Sequence, residues 1–114
     1  EGHRGRLRAL VRANFAQGSF RREVIGAWLN FYVLSQTQAE AKRLLRVYQR
    51  RLQSNLVHDL RPLIGARAEG VARGMGALID GVYIREALRS GAPDGAGAAR
   101  MVWEHLEREL EASA

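Results

Sequence analysis

The sequence predicts an all-α domain. Apolar residues recur at three-to-four spacing from one end to the other, which is the period of a helix face. Alternating β-branched runs bounded by turns, the mark of strands, are nearly absent. Breakers gather in three short clusters: Gln17-Gly18-Ser19, Pro62 with Gly65, and Gly91-Ala92-Pro93-Asp94-Gly95. Together with a polar break near Thr37, they divide the chain into five helical segments. The 114 residues suit one domain, 1–114, with one core, and 46% hydrophobic content is enough to build it.

The first helix is expected from about His3 to Phe15. Leu7, Leu10, Val11, Asn14 and Phe15 share a face, and Arg4, Arg8 and Arg12 form a row beside it. The second helix runs from about Phe20 to Ser35, with Ser19 a plausible N-cap. It holds Val24–Leu34, whose only clearly polar residue is Asn30. A helix apolar on nearly every side reads as one buried all round. Its Trp28, Phe31 and Tyr32 lie at i, i+3 and i+4 and crowd one side. That side is either plain core or the wall of an aromatic pocket.

The third helix, about Gln38 to Leu60, opens with Thr37 and Glu40 at capping-box spacing. Ala41, Leu44, Leu45, Tyr48, Leu52, Leu56 and Leu60 form one face, and Arg43, Arg46, Arg50 and Gln53 the opposite one. Asn55 and Asp59 fall inside the apolar arc, in one stripe with Tyr48 and Leu52. Pro62 biases Arg61 away from helix, although a last turn through Leu63 and Ile64 is compatible with the pattern.

The fourth helix, about Ala66 to Ser90, has two apolar faces. One carries Val71, Met75, Leu78, Ile79, Val82 and Tyr83. The other carries Gly70, Gly74, Ala77, Gly81, Ile84 and Leu88. Each glycine in a helix costs about 1 kcal/mol relative to alanine, so Gly70, Gly74, Gly76 and Gly81 call for close approach of another helix. Two buried faces in so small a domain point to a second subunit on one of them. The fifth helix, about Ala96 to Glu111, turns Ala98, Ala99, Val102, His105, Leu106 and Leu110 inward or toward that partner.

Composition excludes several functions. There is no cysteine, hence no disulfide, thiolate catalysis or Cys-based zinc site. No signal peptide or membrane span is visible, and Glu1 is not a start methionine, so a cytoplasmic protein or a piece of one is expected. The net charge of +6 is uneven: residues 1–61 carry +8 and residues 62–114 carry −2. A basic half fits a solvated exterior, or an interaction module docking on nucleic acid or an acidic protein.

Catalysis finds no support. Ser54 and His58 are i, i+4 neighbours, but Asp59 projects about 100° from His58 and cannot orient its imidazole as a triad requires. His3, His58 and His105 are scattered along the sequence, so neither a metal nor a cofactor is expected. Asp80, near the edge of an apolar face, is expected to pair with an arginine.

Two motifs carry a resemblance. Arg50-Arg-Leu-Gln-Ser-Asn-Leu-Val-His-Asp-Leu-Arg61 resembles the long helix of the choline-sensing, BetI-type repressors. Ala77-Leu-Ile-Asp-Gly-Val-Tyr-Ile-Arg-Glu-Ala-Leu88 resembles the Leu-Ile-Asp-Gly helix in regulatory domains of the wider TetR family. Ala13-Asn-Phe15 and Ala27-Trp-Leu-Asn-Phe31 are similar to BetI-type sequences in order and spacing, while Tyr32 and Tyr83 stand where tryptophan is expected. The resemblance implies a five-helix ligand-binding and dimerisation domain from a TetR-type repressor. It also implies that the last two helices build a four-helix bundle across a two-fold axis, and that a helix-turn-helix, not read in these residues, contacts operator DNA. The interface would then include Gly70, Gly74, Ala77, Gly81, Ile84 and Leu88 of the fourth helix and Val102, Leu106 and Leu110 of the fifth.

A choline-like effector sets the chemistry of the pocket. A quaternary ammonium has no N–H, so it is recognised by aromatic faces and a carboxylate. The sequence offers Trp28, Phe31, Tyr32, Tyr48 and Tyr83, with Asp59 as the charge and Asn55 for a hydroxyl. Alternatively, the aromatics are core and Asp59 pairs with an arginine, since an unpaired buried carboxylate is costly.

Overall fold

The computed structural model describes residues 2–16 and 22–112. They form α1 (Gly2–Asn14), α2 (Arg22–Leu34), α3 (Ala39–Ile64), α4 (Ala68–Ala87) and α5 (Gly95–Ala112). A single 3-10 turn, Gly65–Arg67, joins α3 to α4. No strand occurs among the described residues, in keeping with the expected all-α, five-helix domain. The Gln17-Gly18-Ser19 break, the Ser19 cap and Phe20 lie outside the described residues.

The two longest helices organise the rest. Leu56, Leu60 and Ile64 of α3 meet Ala68, Ala72, Met75 and Ile79 of α4, all buried. Ala68 and Ala72 have side chains small enough to bring the helix axes together. The turn between them depends on Gly65, which adopts φ 60° and ψ −125°, a region open essentially to glycine alone. Pro62 does not end α3, which continues through it to Ile64. Proline removes the donor that would bond the His58 carbonyl, and α3 ends two residues later at Ile64.

α1 packs on α3 and α5 through Leu7, Val11 and Phe15. α5 closes over α4 through Ala98, Val102, Leu106 and Leu110. Asp94 caps α5: its Oδ1 accepts the Gly97 N–H at 2.9 Å, and its own N–H donates to Glu86 at 3.0 Å. The cap crowds Gly97, where a Cβ would stand 2.9 Å from the Asp94 carboxyl carbon. Asp94 therefore ties the end of α4 to the start of α5, a role its sequence neighbours did not reveal.

Three expectations need correction. α2 is not the central core helix. Ile25 is buried, but Val33 and Leu34 are exposed, and Trp28, Leu29, Phe31 and Tyr32 are half-buried. An apolar run reports a wish for cover, not its source, and among the described residues α2 packs mainly on α3 and α4. Leu44 also lies outside the core, its side chain exposed. Finally, Thr37 does not cap α3. Gln38 is the N-cap residue, and no side chain bonds there. Thr37 sits instead in a tight turn, its N–H bonded to the Leu34 carbonyl.

Gly65→Ala is expected to lower stability by about 1–3 kcal/mol, the usual cost of a strained backbone position. Urea unfolding checks this, as a lower midpoint with an unchanged slope.

Candidate functional site

The aromatic side of α2 does meet α3 and α4. The Trp28 ring lies 5.7 Å from Phe31, 5.9 Å from Tyr32 and 5.3 Å from Tyr48 between centroids. The i, i+3, i+4 spacing on α2 places the first three together, and Tyr48 reaches them from α3. Behind them is a cavity of about 220 Å³, lined by Ala13, Asn14, Trp28, Tyr32, Tyr48, Ile79, Asp80 and Tyr83. That is the room of about seven waters, enough for a small organic molecule.

Asp80 gives the cavity its charge. It is half-buried, and no hydrogen bond or ion pair holds its carboxylate among the described residues. Its pKa is raised above the ordinary 3.8 because burial disfavours the charged form. The phenols respond to the same setting. Burial, then the nearby Asp80, pushes Tyr48 up to about 12, and Tyr32 rises for the same reasons. Burial raises Tyr83 as well. All three tyrosines therefore stay neutral at physiological pH, and Asp80 is the carboxyl group among them. Asn14 adds an amide, fixed by donation from its Nδ2 to the Leu10 carbonyl at 2.9 Å.

Of the residues expected to form the site, Trp28, Tyr32, Tyr48 and Tyr83 converge on this cavity. Phe31 lies on the far side of Trp28, in an outer apolar groove with Glu23, Val24 and Ala27. Asn55 is exposed and lines nothing there. Asp59 is buried at 6% exposure but belongs to another contact. His3 Nδ1 lies 2.7 Å from its Oδ1, and Arg6 Nε donates to the same oxygen at 3.0 Å. Burial alone would raise the Asp59 pKa, yet the hydrogen bonds from His3 and Arg6 and their charge hold it below its usual range. The cavity carboxylate is thus Asp80 rather than Asp59. The helical wheel put Asp59 on the inner arc of α3, but that arc faces α1 at this level and the aromatic cavity only near Tyr48. The Leu-Ile-Asp-Gly motif contained the better signal, an acid directly after two apolar residues.

The rest of the surface differs in character. Arg4, Arg8 and Arg12 run along α5, with the Arg4 and Arg8 guanidiniums over the Trp103 ring at 5.7 and 5.4 Å. Arg8, Arg12, Arg100 and Trp103 line an open cleft of about 670 Å³. A second cleft of about 880 Å³ lies between α3 and α4, with Arg46, Arg50 and Arg73 among its walls. Both are larger than the aromatic cavity and neither has its set of four aromatic side chains, although Asp80 borders the second cleft as well as the cavity.

On α4, Gly70, Gly74, Ala77 and Gly81 are exposed, and a Cβ at any of the three glycines would meet nothing within 4 Å. Leu88 at 72% and Met101 at 55% exposure flank this strip. Among the described residues no helix takes up the close approach that Gly70, Gly74 and Gly81 permit, whereas Gly76 meets Leu52 of α3. Val102, Leu106 and Leu110 are different. They are buried in the chain's own core and cannot face a partner, because the apolar stripe of α5 is used up by α4 and α1.

Residues 3–111 match the family described as BetI-type transcriptional repressor, C-terminal. The chain is 48% identical over 106 residues to an HTH-type transcriptional regulator BetI of Brucella canis, covering 92% of this chain and 54% of that protein. It is 45% identical over 111 residues to one of Brucella anthropi, covering 96% and 57%. To one of Agrobacterium fabrum it is 41% identical over 111 residues, covering 96% and 54%. The chain thus spans about half the length of the curated relatives it matches. No solved structure matches it.

The raised Asp80 pKa has a definite sign. The folded chain binds this proton more tightly than the unfolded one, so this group's contribution to stability falls as pH rises from about the unfolded value of 3.8 through the higher folded value. Asp80→Asn is therefore expected to raise the ligand-free thermal midpoint at neutral pH and to flatten that part of the pH profile. Asp59→Asn acts oppositely, lowering stability at neutral pH by about 1–3 kcal/mol through loss of a charge-assisted buried contact. Thermal unfolding of both variants from pH 3 to 8 is the check.

Proposed function

This chain belongs to the BetI-type transcriptional repressor C-terminal family, whose matched relatives are transcriptional regulators rather than enzymes, and from that premise we propose that it senses a small quaternary ammonium compound, choline or a close analogue, and couples it to repression. The observation that carries the reading is Asp80, a carboxylate without an ion-pair partner among the described residues, set in a wall of Trp28, Tyr32, Tyr48 and Tyr83. Each aromatic face contributes about 0.5–2 kcal/mol toward a desolvated cation. The carboxylate supplies the opposite charge, and the Asn14 amide is at hand for a hydroxyl. The phenols remain neutral, so they do not add excess negative charge.

Two chains are proposed to join through the exposed strip of α4, with Met101 at its edge. A glycine-lined helix admits a partner backbone at close range, and the strip's lack of cover within the chain supports this reading. In longer relatives the helix-turn-helix that their names record would sit on such a dimer, the pair of heads reading two half-sites. The effector then acts by population shift: it binds better to the conformation with misplaced heads and so releases operator DNA. The cavity suits this role, because its walls come from α1, α2, α3 and α4, and a ligand filling it changes how those helices settle. No described helix is long and apolar enough to cross a membrane.

Calorimetry with choline is expected to show one site per chain. Trp28→Ala should weaken it by about 0.5–2 kcal/mol, a few-fold to about thirtyfold, and Asp80→Asn by about tenfold or more. Asn55→Ala should leave it unchanged. An unaltered affinity in Asp80→Asn would remove the carboxylate from the site. Gly74→Leu should shift size-exclusion elution toward monomer while the fold, read by circular dichroism, stays intact.

A further inference from the structure

We infer that His3, His58 and Asp59 form a binding site for a divalent transition-metal ion, zinc being the best fit, which clips α1 to α3. The three residues look unrelated in sequence, since His3 is 56 positions from Asp59. The fold brings them together. A ligating atom of each lies within 4.8 Å of those of the other two. The His3 and His58 rings meet edge to face, 5.9 Å apart at 70°, so they do not stack and their nitrogens are free to turn to a common point. Tetrahedral zinc with ligands near 2.0–2.2 Å sets ligand atoms about 3.3 Å apart, so side-chain rotations close the site without backbone movement.

The contacts around His3 favour a cation there. Its Nδ1 is 2.7 Å from Asp59 Oδ1 and 3.0 Å from an Arg6 guanidinium nitrogen. A single ring nitrogen cannot donate to the carboxylate and accept from the guanidinium in one tautomer. One contact is therefore always poor. A metal ion resolves the conflict: neutral imidazole gives it a lone pair, and the carboxylate gives it charge. Arg6 is the competitor, but its side chain is 59% exposed and free to swing into water. Both hydrogen bonds on Asp59 fall on Oδ1, leaving Oδ2 without a bond among the described residues. Two imidazoles and one carboxylate suit zinc and its neighbours rather than magnesium or calcium. The exposure of His58 leaves room for water as a fourth ligand. His105 and Glu109, 3.9 Å apart, offer only two donors and serve as the control.

The test is calorimetry and thermal unfolding of the untagged chain with zinc sulfate, with magnesium chloride as comparison and EDTA for reversal. One zinc per chain is expected, with a rise of several degrees in Tm that EDTA reverses and magnesium does not produce. His58→Ala should abolish the rise. This exposed residue makes only a ring-edge contact, so the variant should keep its metal-free Tm. His105→Ala should leave the zinc effect intact. Absence of a zinc-dependent shift in the native chain, or its persistence in His58→Ala, would overturn the assignment.

Discussion

The tight packing of α3 against α4 is the constraint on which the other helices depend. Leu56 and Leu60 lie against Ala72, Met75 and Ile79, and burying each large aliphatic side chain contributes about 1.5–3 kcal/mol. The chain can reverse between these helices because Gly65 takes a backbone conformation closed to other residues. α1 and α5 complete the core on one side of the pair. α2 leans on the pair beside α1 and, being apolar and only partly covered, leaves a cavity walled by α1, α2, α3 and α4. Fold and candidate site therefore share one origin: α2 covers α3 and α4 without filling the space above them.

That cavity joins features which would be unfavourable in ordinary core. Aromatic walls partly bury the Asp80 carboxyl, and a charge in such a place is held at a cost. Asp59 shows how the chain handles a buried carboxylate in its core, giving it His3 and Arg6. Asp80 receives no such partner among the described residues. The contrast between two acids in one small domain is the strongest physical argument that Asp80 awaits a ligand, and that the ligand is cationic.

Much of this was legible in the sequence, for reasons that also explain the misses. Helical period and breaker clusters located all five helices, since both are local properties. Trp28, Tyr32 and Tyr48 could be grouped because their spacing puts them on defined faces. The identity of the acid could not be read the same way. Asp59 and Asp80 each lie near an apolar arc, and only the packing of α1 decides that Asp59 meets Arg6. Asp80, expected to pair with an arginine, has no such partner among the described residues. His3 and His58 looked scattered because the sequence does not display the crossing of α1 over α3. Likewise, the apolar residues of α5 gave no sign that Val102, Leu106 and Leu110 would be consumed inside the chain, whereas the glycines of α4 would be left bare.

The central claim is that the cavity recognises positive charge through aromatic faces and Asp80, rather than shape alone. The most direct measurement compares the affinity of the native chain for choline with that for dimethylbutanol, its neutral carbon isostere, by calorimetry under identical conditions. The account predicts that choline binds at least about tenfold more tightly, a difference of about 1.4 kcal/mol. Equal affinities, or no binding of choline, would contradict it.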